Sequence, residues 1–360
     1  MDRRSLIKGA GIAGVLAAGV APAVHAQPAI RWRMATSFPK SLPTLHGAAV
    51  KFSETVSALS GGKFEVSAHA AGELMPALGV VDAVEKGTLE VAYTAAYYFT
   101  GKNPAFALSC AIPWGLRTIA MAAWKRHGNG GKLLAELFNK YNFRAFTGGN
   151  TTMQMAGWYR KEINSPEDLK GLKMRMGGGV FGNAMAKLGV VPQNLPGGEI
   201  YQALEKGSLD AVEFVGPADD EILGFQKVAK YYYYPGWWEI SADTDYFVNN
   251  AAYDKLSDEN KAIIAAAADV AGRDMTAKYQ ALNPPALQRL VAGGTQLKAF
   301  PKSVMDAGFK ASMESFEEER EKSEDFKKIY DDLREFQKGQ MLMDRVTELP
   351  VMEYMRSVKF

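Results

Sequence analysis

Apolar and polar residues alternate along Ile30-Arg31-Trp32-Arg33-Met34-Ala35-Thr36, the two-residue period of a strand with one face buried. Residues 44–60 then read as a helix that stops at Gly61-Gly62. Lys63 to Ala70 reads as a second strand, residues 76–86 as a helix, and Leu89 to Thr94 as a third strand. That β-α-β-α-β order predicts a mostly parallel sheet with helices on its faces. Strand-like patterns return at Phe143 to Gly148, Met153 to Tyr159, Leu172 to Met176 and residues 209–215, with helices over 180–189 and 199–206. Ser165-Pro166-Glu167-Asp168 has the residues of a capped helix start. Ser257-Asp258-Glu259-Asn260 caps a long alanine-rich helix. From Lys302 to about Asp344, Phe309, Met313, Phe316, Phe326, Ile329, Tyr330, Leu333 and Phe336 recur at helical spacing, as one long helix or a broken pair.

One phrase occurs twice. Residues 82–94 read DAVEKGTLEVAYT and residues 202–214 read QALEKGSLDAVEF. In each, a helix ends in Glu-Lys-Gly and a short apolar run follows. Gly87 and Gly207 sit where a helix C-terminus favours a left-handed residue. Two copies of one helix–turn–strand unit predict two similar α/β lobes with a cleft between them, where small ligands bind. The repeat aligns Tyr93 with Glu213 and Thr94 with Phe214, near strand ends that face the crevice in open α/β sheets.

The N-terminus departs from this pattern. Arg3-Arg4-Ser5-Leu6-Ile7-Lys8 is a twin-arginine motif, followed by a Gly/Ala-rich apolar stretch and by small residues that permit cleavage after Ala26. The stretch is too short and too glycine-rich for a good membrane span, which disfavours an uncleaved anchor. The expectation is an exported, periplasmic protein. Its expected organisation is a signal peptide over 1–26, one lobe over 27–150, a second over 151–250, and a helical segment over 251–360 spanning both. Cleavage removes three basic residues (Arg3, Arg4, Lys8) and one acid (Asp2), so the chain's 42 basic and 40 acidic residues become 39 of each. A mature protein without net charge does not suit a nucleic-acid partner. The single cysteine, Cys110, excludes an intrachain disulfide and is expected in the core.

Four histidines and one cysteine show no metal-ligand spacing, and neither a Gly-x-Ser-x-Gly elbow nor a phosphate loop with Gly-Lys-Ser/Thr occurs. Gly177-Gly178-Gly179-Val180-Phe181-Gly182 does fit the dinucleotide pattern G-x-G-x-x-G, with Glu199 downstream. Against that reading, the preceding strand carries Lys173 and Arg175 where such a strand is normally apolar. Arg175 is the sharper candidate. An arginine within a short parallel strand is costly unless it meets an anion, and its fork suits a carboxylate. That anion is either a ligand or an internal acid. Glu213 could be that internal partner, or a ligand to a hard cation, with Gln154 and Glu239 supplying further oxygens if the fold brings them close. Trp237 and Trp238 read as core or cleft wall. An enzyme would need a base in the cleft, and Glu213 is the only candidate for one.

The run from Asp168 to Phe214, the opening WRMATSFPK, the Leu188-Gly189-Val190-x-Pro192 segment and the E-x-Y-x-A-L-x-x-G-x-x-D-A-x-E segment resemble, in order, the periplasmic solute-binding proteins of TRAP transporters. The resemblance covers essentially the whole mature chain. It implies an α/β fold of two lobes around a cleft with a hinge and a long C-terminal helix, a binding protein rather than an enzyme, and delivery of ligand to TRAP membrane subunits. GGNTTMQMAGWYRKEINSPEDLKGLKMR and VEFVGPADDEILGFQKVAKYYYYPGWWE are similar to the α-keto acid-binding and lactate-binding members. Those members imply a small monocarboxylate ligand, a 2-oxo or 2-hydroxy acid such as pyruvate or lactate, and a bound Na⁺ or Ca²⁺. They imply Arg175 on the ligand carboxylate and Gln154, Glu213, Phe214 (backbone oxygen) and Glu239 on the cation. Gln154, Asn150, Tyr97, Tyr98 and Trp238 are the other expected ligand contacts, and a homodimer through the long C-terminal helix is expected. The alternatives are a different organic acid, an enzyme using the GGGVFG loop, or a receptor subunit docking on a sensor kinase.

Overall fold

The computed structural model describes residues 30–358. The expected signal peptide, 1–26, lies outside the described residues. Eleven strands form two sheets: β1 (Ile30–Thr36), β2 (Phe64–His69), β3 (Val91–Thr94), β4 (Phe143–Asn150), β5 (Gly157–Tyr159), β6 (Lys173–Arg175), β7 (Val191–Gln193), β8 (Ala211–Val212), β9 (Tyr231–Tyr234), β10 (Asp243–Asn249) and β11 (Gln296–Ala299). The first sheet has the order β2-β1-β3-β10-β4 and the second β11-β9-β5-β8-β6-β7.

Both copies of the repeated phrase close in the same way. After helix Val80–Glu85, Gly87 takes φ +70°, and the amides of Thr88 and Leu89 both bond the Ala83 carbonyl. After helix Gly197–Glu205, Gly207 takes φ +77°, and Ser208 and Leu209 both bond the Ala203 carbonyl. The turn then delivers β3 into one sheet and β8 into the other. Each lobe therefore presents the C-terminal end of a parallel strand to the cleft.

The first sheet is mixed rather than mostly parallel. Strand β10 returns from the second lobe and so runs antiparallel between β3 and β4. Its residues fall within 151–250 yet pair in the first sheet, and β11, from within 251–360, pairs in the second. The chain thus crosses between sheets at 151–156, again at 235–242, and a third time through helix Asp258–Ala292. The first two crossings lie side by side: the Thr151 amide bonds the Ala242 carbonyl at 2.9 Å and the Gln154 amide the Ile240 carbonyl at 3.0 Å. The alternation read over Met153 to Tyr159 is a strand only from Gly157, because the crossing consumes the residues before it.

Helix Asp258–Ala292, capped by the Ser257 hydroxyl, packs on β4 and helix Leu45–Leu59 of the first lobe and on helix Pro217–Leu223 of the second. The C-terminal stretch is a broken pair, Lys302–Lys322 and Glu324–Val346, with Ser323 capping the second member, followed by helix Glu348–Ser357. Ser165 and Asp168 form the expected capping box, but around a 3₁₀ turn of four residues, Pro166–Leu169. Cys110 is buried, as expected. No helix among the described residues is long and apolar enough to cross a membrane.

Candidate functional site

Arg175 ends β6, and Glu213 follows the end of its parallel neighbour β8. Both are 1% exposed, and their side chains pair at 2.8 Å. The rest of the guanidinium is largely committed. Nη1 also donates to the Glu213 carbonyl at 2.8 Å, and Nε donates to the Leu195 carbonyl at 3.0 Å. Nη2 has only a long 3.4 Å contact with the Tyr98 hydroxyl among the described residues. Buried N–H groups are normally satisfied, so Nη2 is the donor with capacity for an added acceptor. The internal ion pair and the ligand reading therefore coexist: one edge of the fork holds Glu213 while the other is open.

Gln154 and Glu239 lie on the first two crossing segments, 85 residues apart, with Gln154 Nε2 donating to Glu239 Oε1 at 2.8 Å. Gln154 Nε2 also bonds Thr151 Oγ1 at 2.8 Å, and Thr151 Oγ1 in turn accepts from the Ala242 amide. Thr152, in this loop, holds φ +61°, a left-handed conformation that β-branched residues avoid. Such strain is characteristic of sites whose geometry the surrounding structure imposes. From the first lobe, the 3₁₀ turn Ala96–Phe99 after β3 supplies Tyr97, whose hydroxyl donates to Glu239 Oε1 at 2.9 Å. The lobes thus meet over the site.

Three oxygens here are buried without a hydrogen-bond partner among the described residues: Gln154 Oε1, Glu213 Oε2 and Glu239 Oε2. Each such orphan costs about 1–3 kcal/mol if nothing meets it, and more when charged. The proximity is also electrostatic. Burial raises the Glu213 carboxyl above its usual range, against the nearby Arg175, and Glu239 raises it further. Burial likewise raises Glu239, opposed by its bonds to Tyr97 and Gln154 and by Arg175. Burial pushes the Tyr98 hydroxyl up to about 12. Among the described residues no three His, Cys, Asp or Glu side chains gather as a metal cluster. Any cation held here would use two carboxylates with amide and backbone oxygens, which is the donor chemistry of a hard cation.

The other expected residues fall as follows. Phe214 follows Glu213, and its ring lies 5.2 Å from the Arg175 guanidinium. Trp238 is buried next to Glu239, with its indole N–H unpartnered. Asn150 makes no hydrogen bond to Arg175, Glu213, Gln154 or Glu239. Its amide is committed to Asp243 at 2.7 Å, to Thr118 and to the Thr152 amide. Sequence reasoning missed what lies behind it. Lys125, largely buried, sits 2.9 Å from Asp243 and 3.6 Å from Asp245, so Asn150 hangs from a buried ion network. It also missed Asp219, which joins Thr44 of the first lobe at 2.7 Å to Tyr279 of the long helix at 2.5 Å. A capped-helix pattern carries no signal for either. The glycine run after β6 does not leave room for a dinucleotide phosphate at its first residue. The Gly177 amide is spent on Glu213 Oε1 at 2.9 Å and its open face is covered by the Tyr97 ring.

The model of the bacterial extracellular solute-binding proteins of family 7 matches residues 35–322. A monocarboxylate 2-oxoacid-binding periplasmic protein of Nostoc sp. is 45% identical over 322 residues, 89% of this chain and 88% of that protein. A TRAP transporter solute-binding protein of Bordetella bronchiseptica, a mixed-occupancy dimer with calcium and picolinate in one active site and the other apo, superposes with a TM-score of 0.90. It is 45% identical, over 92% of this chain and 98% of that one. A TRAP periplasmic solute-binding protein of Pseudoalteromonas atlantica with bound sodium and pyruvate gives a TM-score of 0.88 at 34% identity, over 92% and 100% of the two chains. The two α/β lobes, the cleft and the long C-terminal helices are shared with these structures. A family match over most of the chain, joined to these likenesses, means that the protein belongs to the family 7 extracellular solute-binding proteins, the periplasmic receptors of TRAP transporters, and is not an enzyme.

Proposed function

We propose that this receptor captures a small monocarboxylate bearing a second donor atom at its 2-position, a 2-oxo or 2-hydroxy acid such as pyruvate or lactate, together with a cation, and delivers the acid to TRAP membrane subunits. The observation that carries this is the set of three orphaned oxygens beside the half-used arginine fork. In this reading Arg175 holds the carboxylate through Nη2. Gln154 Oε1, Glu213 Oε2, Glu239 Oε2 and the Phe214 carbonyl hold the cation, whose remaining positions take one carboxylate oxygen and the 2-donor. Picolinate and pyruvate, bound by the two relatives, share that arrangement: a carboxylate with a nitrogen or a keto oxygen on the adjacent carbon. Tyr97, Tyr98 and Trp238 wall the acid and limit its length. Asn150 supports the Thr151–Gln154 loop rather than touching the acid.

Charge selects between cations. Arg175, two carboxylates and the ligand carboxylate sum to about −2 when ionised, so Ca²⁺ neutralises the assembly and Na⁺ leaves one charge uncompensated. Buried uncompensated charge is expensive, so Ca²⁺ is the expected resident ion. In a thermal-shift assay, pyruvate at about 100 times its Kd should add about 2.7 kcal/mol of stability, about 4 °C for a chain of this size, with Ca²⁺ present. It should add far less in chelator. A shift that appeared only with dicarboxylates or sugar acids, or that ignored the cation, would overturn the reading.

The proposal extends to a homodimer through the C-terminal helices. Helix Glu348–Ser357 buries none of its residues, and Leu349, Val351, Met352 and Tyr354 are each more than half exposed. A groove of about 590 Å³ lined by Trp114, Phe309, Met313 and Met341 lies near its start. Contiguous apolar surface of this kind marks interaction sites, and the Bordetella relative is a dimer. Sedimentation velocity should give a dimer for the processed chain and a monomer after deletion of residues 347–360. A monomeric processed chain would remove the dimer.

A further inference from the structure

We propose that Gly177 is the residue that permits closure of the lobes, because its missing side chain is the seat of Tyr97. This rests on the reading of the site given above. Gly177 follows β6 in the second lobe, and Tyr97 follows β3 in the first. A Cβ at Gly177 would lie 2.5 Å from Tyr97 Cε2, 3.1 Å from Cζ and 3.2 Å from Cδ2. Ordinary carbon contacts begin at about 3.5 Å, so the ring would have to retreat by about 1 Å. It has no slack for this. Tyr97 is 5% exposed, its ring meets Phe181 at 5.3 Å and Tyr98 at 4.9 Å, and its hydroxyl is fixed 2.9 Å from Glu239. A retreat of that size takes the hydroxyl out of hydrogen-bond range.

The requirement for glycine arises from the contact and not from the local backbone. Gly178 and Gly179 hold φ +107° and +74°, whereas Gly177 is outside the left-handed region, where alanine is tolerated. The Gly177 amide, which holds Glu213 Oε1, would survive in alanine. The oxygens assigned to the cation come from the second lobe and the crossings, and Tyr97 meets only Glu239 Oε1, which Gln154 also holds, leaving Oε2 untouched. The missing side chain of Gly177, as distinct from its amide, therefore acts on closure: it lets the first lobe descend until Tyr97 reaches Glu239 and Tyr98 reaches Arg175. The glycine run that imitates a nucleotide loop is, at its first residue, a docking surface for the opposite lobe.

The test is calorimetry with Ca²⁺ alone and with pyruvate in Ca²⁺, on the wild type, Gly177→Ala, Tyr97→Ala and the double variant, with small-angle scattering to read contraction. Wild-type protein should bind pyruvate and contract. Gly177→Ala should keep the ligand-free melting temperature and the Ca²⁺ affinity. It should lose about 10- to 100-fold in pyruvate affinity, the scale of an overpacked contact, and should fail to contract. With Tyr97 already removed, adding Gly177→Ala should cost nothing more, since the two act through one contact. An equal additional loss in the Tyr97→Ala background, full contraction by Gly177→Ala, or a parallel loss of Ca²⁺ affinity would each overturn the proposal. Should Gly177→Ala not fold, recovery of folding in the double variant supports the contact, and continued failure overturns it. A wild type that bound no 2-oxo acid would instead bring down the functional reading itself.

Discussion

Arg175→Ala is expected to lower pyruvate affinity by about one hundred-fold to a few thousand-fold. Breaking a buried pair by removing one member costs about 3–5 kcal/mol, and each 1.4 kcal/mol is a factor of ten. Two losses combine here. In the proposed site the ligand carboxylate loses its charged donor, and Glu213, 1% exposed, keeps only the Gly177 amide on Oε1 among the described residues. The Glu213 carboxyl, already raised by burial, then rises further and takes up a proton. Arg175→Lys should fall between the two proteins. It restores a charge but cannot replace the fork that spans Leu195 and the Glu213 carbonyl and side chain. Calorimetry in saturating Ca²⁺ measures the loss, and the ligand-free melting curve separates it from unfolding. Near-native affinity in the alanine variant would reduce Arg175 to an internal ion pair.

Glu239→Gln is expected to lower Ca²⁺ affinity by at least about 100-fold and to remove the cation dependence of pyruvate binding. The loss of groups that merely orient a metal ligand already costs about 10- to 100-fold, and a ligand charge should cost more. Glutamine retains an acceptor for Tyr97 and Gln154, so the fold around it should persist. The wild type should also show a pH signature. Burial raises both Glu213 and Glu239 in the ligand-free protein. Protons therefore compete with the cation, and Ca²⁺ affinity should climb between about pH 6 and pH 9 and then level off. Stability of the ligand-free protein moves oppositely across that window. A folded state that binds protons more tightly than the unfolded chain loses stability as pH rises through the raised values. Burial raises Asp219 to about 6 and Asp220 to about 7, which adds to that slope. Ca²⁺ affinity independent of pH, or unaffected by Glu239→Gln, would place the ion elsewhere.

The two lobes were legible because their determinants are local. Glu-Lys-Gly followed by a short apolar run specifies a helix end, a left-handed turn and a strand, and Gly87 and Gly207 adopt it with matching hydrogen bonds. Arg175 was legible for a related reason: a charge in a three-residue parallel strand needs a partner, whatever the fold. The strand pairing was less so. Nothing in the composition of Asp243–Asn249 says that it returns to the first sheet, because pairing partners are chosen by the path of the whole chain. The buried network of Lys125, Asp243 and Asp245 was missed for the converse reason. Each residue alone is an ordinary surface type, and only packing places them together.

By itself the sequence determined the helix and strand units, their repetition and the charged residue at the end of β6, since these depend on period, turn chemistry and the desolvation of a single group. The tertiary structure decided the site. It laid the first two crossing segments side by side, so that Gln154 and Glu239 meet across 85 residues of chain. It left three oxygens without partners, and it lowered Tyr97 onto a glycine that a local motif had assigned to another chemistry. Those facts are distances between segments far apart in the chain, and such distances are set by packing and closure, not by the order of residues along any one segment.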